Sequence, residues 1–209
     1  MMHRALLCLA LTACAAVPET HRYTLVAATI APVIEEGADL PTLTVEELEV
    51  DPPYDDPRIA YRPSAYRFES YHYHRWSAPP SLLVSEYFRD AFSRSGHFAR
   101  VTRAIVPQTN ALLRGRLTAF EEVDVKKNRW VGRVALELSL EDPTTGKILW
   151  SRSFDESEPL VDQSPDGLAR ALSTALQRIA RATLPSATKI ATSQASKAAE
   201  DSNESYSRW

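Results

Sequence analysis

The sequence predicts an α+β domain: a two-layer sandwich in which two helices lie on one face of a largely antiparallel sheet. Apolar and polar residues alternate through 130–141, as in a strand with one buried and one solvated face. Two segments, 77–96 and 164–185, instead repeat apolar residues at helical spacing. Each helical segment follows a group of predicted strands, which is typical of helices that cover one sheet.

Residues 53–96 form a compact strand–strand–helix unit. The part from 53 to 76 is rich in Tyr, Phe and Ile and is broken by a Pro-Ser pair, which predicts two short strands joined by a tight turn. Ser77 is the candidate N-cap of the helix, because Pro79 and Pro80 then fall in the first turn, where a missing N–H costs little. Gly96 is the candidate stop.

Further strands are predicted before and after this unit. Two segments have the composition of turns: the lysines and asparagine at 126–128, and residues 142–146. The strands that flank each turn should form antiparallel hairpins. The strand near residue 45 should carry a bulge, because its apolar period slips there. The strands are expected at 21–26, 43–50, 101–106, 112–123, 130–141 and 147–154.

The last part of the chain is predicted to be a helix followed by a disordered tail. Ser164 is the candidate N-cap, and Pro185 is expected to end the helix. Residues 186–209 are mostly Ser, Ala, Thr, Lys and acidic residues, with no pattern that would form a core.

The first residues have the pattern of a lipoprotein signal. Arg4 precedes a short apolar run, and Leu-Thr-Ala stands directly before Cys14 as in a bacterial lipobox. We therefore expect a signal peptide at 1–13, a tether at 14–22 whose Cys14 carries diacylglycerol and a third acyl chain, and a domain at 23–185. The alternative is an ordinary signal cut after Ala13 or Ala16, with Cys14 incidental.

Lipidation is favoured because Cys8 lies inside the signal, so the mature chain keeps one Cys that cannot form an internal disulfide. Ala15 rather than Asp follows Cys14, and by resemblance to the lipoprotein sorting rule this predicts the periplasmic face of the outer membrane. The tether to Tyr23 reaches about 30 Å at most, which would keep the domain close to the membrane. Apart from this covalent lipid, no cofactor is expected.

Composition argues against several function classes. One of the 24 basic residues lies in the signal, so the mature chain has 23 against 27 acidic residues and a formal charge of −4. A mildly acidic chain without a long basic run is a poor nucleic-acid ligand. No nucleotide-binding or hydrolase motif is present, and the adjacent Glu121 and Glu122 should point to opposite strand faces, so we expect no enzyme. His72 and His74 could grip zinc, but nothing nearby completes a ligand set, and no metal is predicted.

Aromatic residues at 54–76 are the candidate surface for a protein or lipid partner, because they are too many to be buried on one strand pair. Arg75 and Trp76 belong to the residue types favoured at interfaces, although core packing is the alternative for Trp76. The candidate residues are Tyr54, Tyr61, Tyr66, Tyr71, Tyr73, Arg75 and Trp76.

These features, in their order and spacing, resemble the ABC-type transport auxiliary lipoprotein family over residues 14–184. The matching features are Cys14 in its lipobox, Tyr23-Thr24-Leu25, Pro53-Tyr54, the run 58–62, Arg75-Trp76 before a helix, the strand ending near Phe120-Glu121, and the closing Ala/Leu helix. A long segment between Leu25 and Leu43 and the tail after Pro185 depart from the family pattern.

The resemblance implies the outer-membrane lipoprotein of an intermembrane lipid transport system that also contains an MCE protein, with no catalytic residues to carry over. The expected partner is that periplasmic MCE protein; phospholipid and a second copy of the chain (a homo-oligomer) remain open as further partners. The main alternative is a secretion or cell-envelope assembly lipoprotein that binds a protein pore. A periplasmic hydrolase would require a perturbed acid/base pair that the motifs do not indicate.

Overall fold

A computed structural model describes residues 18–27, 40–126 and 129–206, with the side chains described up to residue 201. The predicted signal peptide, Cys14 and residues 127–128 of the predicted turn at 126–128 lie outside these residues. Within the described part the chain forms nine strands and two α-helices. They are β1 (His21–Tyr23), β2 (Thr42–Val45), β3 (Glu49–Val50), β4 (Arg58–Ser64), β5 (Arg67–Trp76), α1 (Pro80–Ser93), β6 (Arg100–Thr102), β7 (Thr109–Lys126), β8 (Arg129–Glu141), β9 (Ile148–Pro159) and α2 (Pro165–Tyr206), with a short 3₁₀ turn at Pro52–Tyr54.

Strand β7 is the centre of the sheet. One of its edges pairs along its length with β8, which in turn pairs with β9. Its other edge pairs in succession with the short strands β2, β3 and β4. The sheet is extended beyond these by β6 on β2, and by β5 and then β1 on β4.

The α+β class is confirmed, and the sheet is mixed rather than largely antiparallel. Among the described residues, the longest pairings (β7–β8, β8–β9 and β4–β5) are antiparallel, and the five others are parallel. Parallel neighbours require a crossover between them, and α1 lies in the connection from the β4–β5 hairpin to β7.

Both helices pack on the sheet, as predicted, and they also contact each other. The core lies between the two layers. The strands contribute apolar side chains from one face, and the helices contribute their apolar stripes. The largest fully buried side chains include Trp76, Phe88, Phe92, Phe120, Leu136 and Leu168.

The helix ends follow the sequence signals in part. Ser164 caps α2 as expected: its Oγ accepts the backbone N–H of Gly167 at 3.0 Å. Gly96 follows α1 in the left-handed region (φ 75°), where glycine is favoured. Ser77 does not cap α1. The N-cap position is Pro79, and the backbone N–H of Ser77 donates instead to the carbonyl of Tyr23 at 2.7 Å, which fastens the end of β1.

Helix α2 does not end at Pro185, and the prediction of a disordered tail from Ser186 is wrong. The helix continues to Tyr206, although Pro185 removes one helical hydrogen bond. Pro185 lies on the exposed side, whereas Ala187 and Ala191, two and six residues further on, are fully buried. Small buried side chains let the helix pack closely on the sheet, and this packing outweighs the local effect of proline.

The strand registers define two ends of the sheet. Because Arg62 pairs with Val123 and Val131 pairs with Pro159, the β4–β5 turn, the paired strand ends Lys126 and Arg129, and loop 160–164 lie at the same end of the sheet. We call this the hairpin end. The β8–β9 turn at 142–147 lies at the opposite, far end, beside residues 194–201 of α2.

Candidate binding surface

The structure separates the seven candidate partner-binding residues by exposure. All lie on the 3₁₀ turn before β4 or on the β4–β5 hairpin. Tyr66 is 98% exposed and Tyr73 is 45% exposed. The others are half-buried (Tyr61, Tyr71 and Arg75) or buried (Tyr54 and Trp76).

Burial removes Tyr54 and Trp76 from any surface that a partner could touch in this conformation. Trp76 is 1% exposed, and its ring centroid lies 4.9 Å from that of Phe120, so the core alternative is the correct one. Its backbone N–H also donates to the carbonyl of Pro57 at 2.6 Å. Tyr54 is turned inward because its hydroxyl donates to a buried carboxylate, that of Glu121.

Glu121 is the centre of a charge network on the sheet face away from the helices. Its side chain is fully buried and accepts hydrogen bonds from Tyr54 Oη and Arg62 Nε, each at 2.7 Å, and from Arg133 Nη1 at 3.1 Å. Arg133 also pairs with Asp155 and, mainly through that hydrogen bond, lowers the pKa of the Asp155 carboxyl. Burial raises the pKa of Tyr54 to about 12. The network joins β4, β7, β8 and β9.

The neighbouring Glu122 belongs to a separate cluster, as expected for adjacent residues of a strand. It is buried, and Tyr71 Oη donates to its Oε1 at 3.0 Å. Burial raises the pKa of Glu122 to about 7; the nearby charge of Asp124 adds to this shift, and the hydrogen bond from Tyr71 opposes it. No local sequence pattern indicates this perturbed carboxyl, because it meets Tyr71, from a hairpin distant in the chain, only in the folded sheet.

The histidines at this edge of the sheet contact aromatic rings. His21 stacks on His74 at 5.6 Å, and Tyr23 Oη lies 2.8 Å from Nδ1 of His74. His72 is exposed, whereas His74 is half-buried. In the described ranges, no three His, Cys, Asp or Glu side chains are close enough to hold a metal ion.

Two open grooves flank the segment that follows β1. One, of about 490 Å³, lies between residues 24–27 and α1, and the other, of about 510 Å³, between residues 22–26 and α2. The segment is fastened by Val26 N–H donating to Ser173 Oγ at 3.1 Å and by Arg94 donating to the carbonyl of Ala27 at 3.3 Å. In the part of the chain that the structure covers, no helix combines the length and apolarity needed to cross a membrane.

The same fold occurs in solved structures. Protein XCC0632 from Xanthomonas campestris superposes with a TM-score of 0.66 at 21% identity, covering 83% of this chain and 99% of that one. A second, uncharacterized protein superposes with a TM-score of 0.64 at 14% identity, covering 81% of this chain and 99% of the other. Fold and surface thus define a small mixed-sheet α+β domain.

The chain belongs to the family of ABC-type transport auxiliary lipoprotein components, whose profile matches residues 23–183. This confirms the resemblance found in the sequence. The family is one of transport auxiliaries, and its lipoprotein character points to membrane anchoring in the cell envelope. No curated protein matches the sequence.

Proposed function

We propose that the chain is the non-enzymatic, outer-membrane-anchored lipoprotein of an ABC-type intermembrane lipid transport system, and that it works by binding an MCE-type partner, lipid, or both. The observation that carries the proposal is the family match over residues 23–183, which extends from the end of β1 to the middle of α2. The role is thus assigned to the whole domain and not to one motif.

The ionisable networks support a binding role. A catalytic acid or base needs access to a substrate, whereas the buried Glu121 is fully engaged by two arginines and a tyrosine. Glu122, whose pKa is strongly perturbed, is 2% exposed and bonded to Tyr71. Both carboxyls therefore serve the internal structure of the sheet.

Membrane attachment is proposed through Cys14. The lipobox before it supports acylation, and Ala15 after it supports sorting to the outer membrane. Each buried CH₂ contributes about 0.8 kcal/mol, so several acyl chains on one residue would hold the domain firmly.

The partner surface is proposed around Tyr73. Tyr73 is exposed in the middle of β5, near the half-buried Tyr61, Tyr71 and Arg75. In the described residues, the outer edge of β5 pairs with another strand only at 74–76, through β1. An exposed aromatic on an open strand edge is a suitable contact for another protein chain or an acyl chain.

Site-specific photocrosslinking in cells tests the proposal. A photoreactive residue replacing Tyr73 should capture an MCE-type protein or phospholipid, whereas the same group at Ile148, which is 58% exposed at the far end, should capture neither. Recovery of only a secretion pore from residue 73 would instead support the alternative of an assembly lipoprotein. Equal capture of the MCE protein from both positions would contradict the assigned surface.

A further inference from the structure

Three exposed apolar side chains, two from connections and one from the end of β7, lie at the hairpin end. Tyr66 in the β4–β5 turn is 98% exposed, Val161 in the loop after β9 is 92% exposed, and Val125 at the end of β7 is 48% exposed. Because Arg62 and Val123 pair in parallel, β4 and β7 end on the same side of the sheet, which brings Tyr66 and Val125 to this end. Leu160 donates its backbone N–H to the carbonyl of Trp130 at 3.0 Å, which brings Val161 to the same end.

Basic side chains accompany these apolar residues. Three strand-end residues at the hairpin end are exposed: Arg67 at the start of β5, Lys126 at the end of β7 and Arg129 at the start of β8. Two of the nearby acidic groups are engaged, Glu69 by Arg67 and Asp162 by Arg170. Asp124, next to Val125, holds one buried carboxylate oxygen without a hydrogen-bond partner among the described residues. Exposed apolar side chains next to Lys and Arg are the combination that contacts a phospholipid surface, where apolar groups enter the interface and cations meet phosphates.

The direction of β1 brings the N-terminal tether to this end. β1 runs parallel to β5, with His21 beside His74, so the chain before His21 leaves the domain toward Arg67 and the β4–β5 turn. Cys14 lies seven residues before His21, as Arg67 lies seven residues before His74. An extended tether of that length spans about 24 Å, enough to reach the plane of the turn. The far end of the sheet lies about 40 Å further away along β8.

We propose that the hairpin end rests on the phospholipid surface in which the anchor is inserted. Tyr66, Val125 and Val161 enter the interfacial region, and Arg67, Lys126 and Arg129 face lipid phosphates. The domain is then held in one orientation, with the β8–β9 turn and the end of α2 directed away from the membrane. This inference rests on the proposed acylation of Cys14.

The test uses the acylated full-length protein in vesicles of phosphatidylethanolamine and phosphatidylglycerol. Cys8 leaves with the signal and acylation blocks the thiol of Cys14, so an introduced Cys can be labelled alone. An environment-sensitive dye on Tyr66→Cys should show a blue shift and quenching by spin-labelled lipid. The same dye on Ile148→Cys, an exposed apolar position at the far end, should show neither. Solvent-like emission from residue 66, or equal quenching at both positions, overturns the inference.

A second set of variants tests whether the three apolar side chains themselves place the turn in the lipid interface, or whether the anchor merely holds it nearby. With the dye on Ala65→Cys, replacing Tyr66, Val125 and Val161 together by Ser should abolish the blue shift and leave the melting temperature unchanged. Ile148→Ser is the matched control and should leave the blue shift intact. An unchanged blue shift in the triple variant overturns the assigned role of these side chains.

Intact-protein mass spectrometry distinguishes failure of the proposed acylation of Cys14 from failure of the proposed orientation. Absence of acyl chains on Cys14 would overturn both the proposed anchor and this orientation. An acylated, vesicle-bound protein whose residue 66 stays in water overturns the orientation and leaves the anchor standing.

Discussion

At the scale of single residues, Glu121 shows how a buried charge can join four strands. Replacing it by Ala would leave Arg62 and Arg133 without their shared partner, and removal of one member of a buried ion network typically costs several kcal/mol. The two arginines are about one-third exposed, so water can rehydrate them in part. We therefore expect Glu121→Ala to lower the free energy of unfolding by about 2–3 kcal/mol in urea titrations.

Asp155→Ala is the matched control for this prediction. Asp155 pairs with the same Arg133, but its side chain is 58% exposed. An exposed ion pair contributes about 0–1 kcal/mol, so the loss should be small. Equal losses in the two variants would show that burial does not distinguish the two carboxylates.

Glu122 predicts a pH dependence of stability. Its folded-state pKa is about 7 against an ordinary value of 4.5, so the folded state binds the proton more tightly than the unfolded state does. Protonation of Glu122 therefore adds to the free energy of unfolding. This stabilisation is fully present below pH 4.5 and is lost as the pH rises through about 7. Glu122→Gln keeps a neutral side chain, and we expect it to remove about 1–3 kcal/mol of this pH dependence.

Urea unfolding of the wild-type protein and of Glu122→Gln at several pH values between 4.5 and about 7 provides the measurement. Glu137→Gln, at an exposed position of the neighbouring strand, is the control and should keep the wild-type profile. If Glu122→Gln and wild type give parallel profiles, the carboxyl of Glu122 does not titrate in this range.

The direction in which these side chains point could be predicted from the sequence for some residues and not for others. Alternation along a strand separates Glu121 from Glu122, and the bulk of Trp76 favours the core; the structure agrees with both. The inward orientation of Tyr54 could not be predicted. It depends on a carboxylate that reaches it only after β7 has paired with β4, and no local pattern carries that information.

At the scale of elements, the continuation of α2 replaces the disordered tail that was expected after Pro185. Ala187 and Ala191 are fully buried, and Ile190 packs against the core. A chain ending at Pro185 would lose this packing and expose the sheet beneath it, so we expect a loss of about 2–4 kcal/mol. A chain ending at Asp201 should melt close to the full-length protein, because the buried positions are retained. Similar melting temperatures for all three chains would contradict the packing argument.

Some of the strands and helices could be predicted from local sequence patterns, and others could not. Period-two alternation and turn residues predict β7, β8 and β9, and these strands form as expected. Pro185 misled the prediction because the rule for proline is local, whereas the helix is held by contacts on its buried side. The parallel pairing of β2, β3 and β4 could not be predicted, because strand direction depends on how the connections cross the sheet.

At the scale of the whole molecule, the two proposed surfaces are separate. The partner contact uses the middle of β5 around Tyr73, and the membrane contact uses the hairpin end around Tyr66. An oriented domain would keep the edge of β5 accessible from the periplasm while its turns touch lipid. Failure of one proposal therefore leaves the other open to its own test.

The parallel register of β1 and β5 also determines how mechanical load would enter the domain. Tension on a lipid anchor would pull His21 along the axis of β1, toward the hairpin end. The hydrogen bonds of the short strand, together with that from Ser77 to Tyr23, would then be loaded in shear, all at the same time rather than one after another. β5 would pass the load through β4 to β7, so that a three-residue attachment draws on the strength of the central sheet.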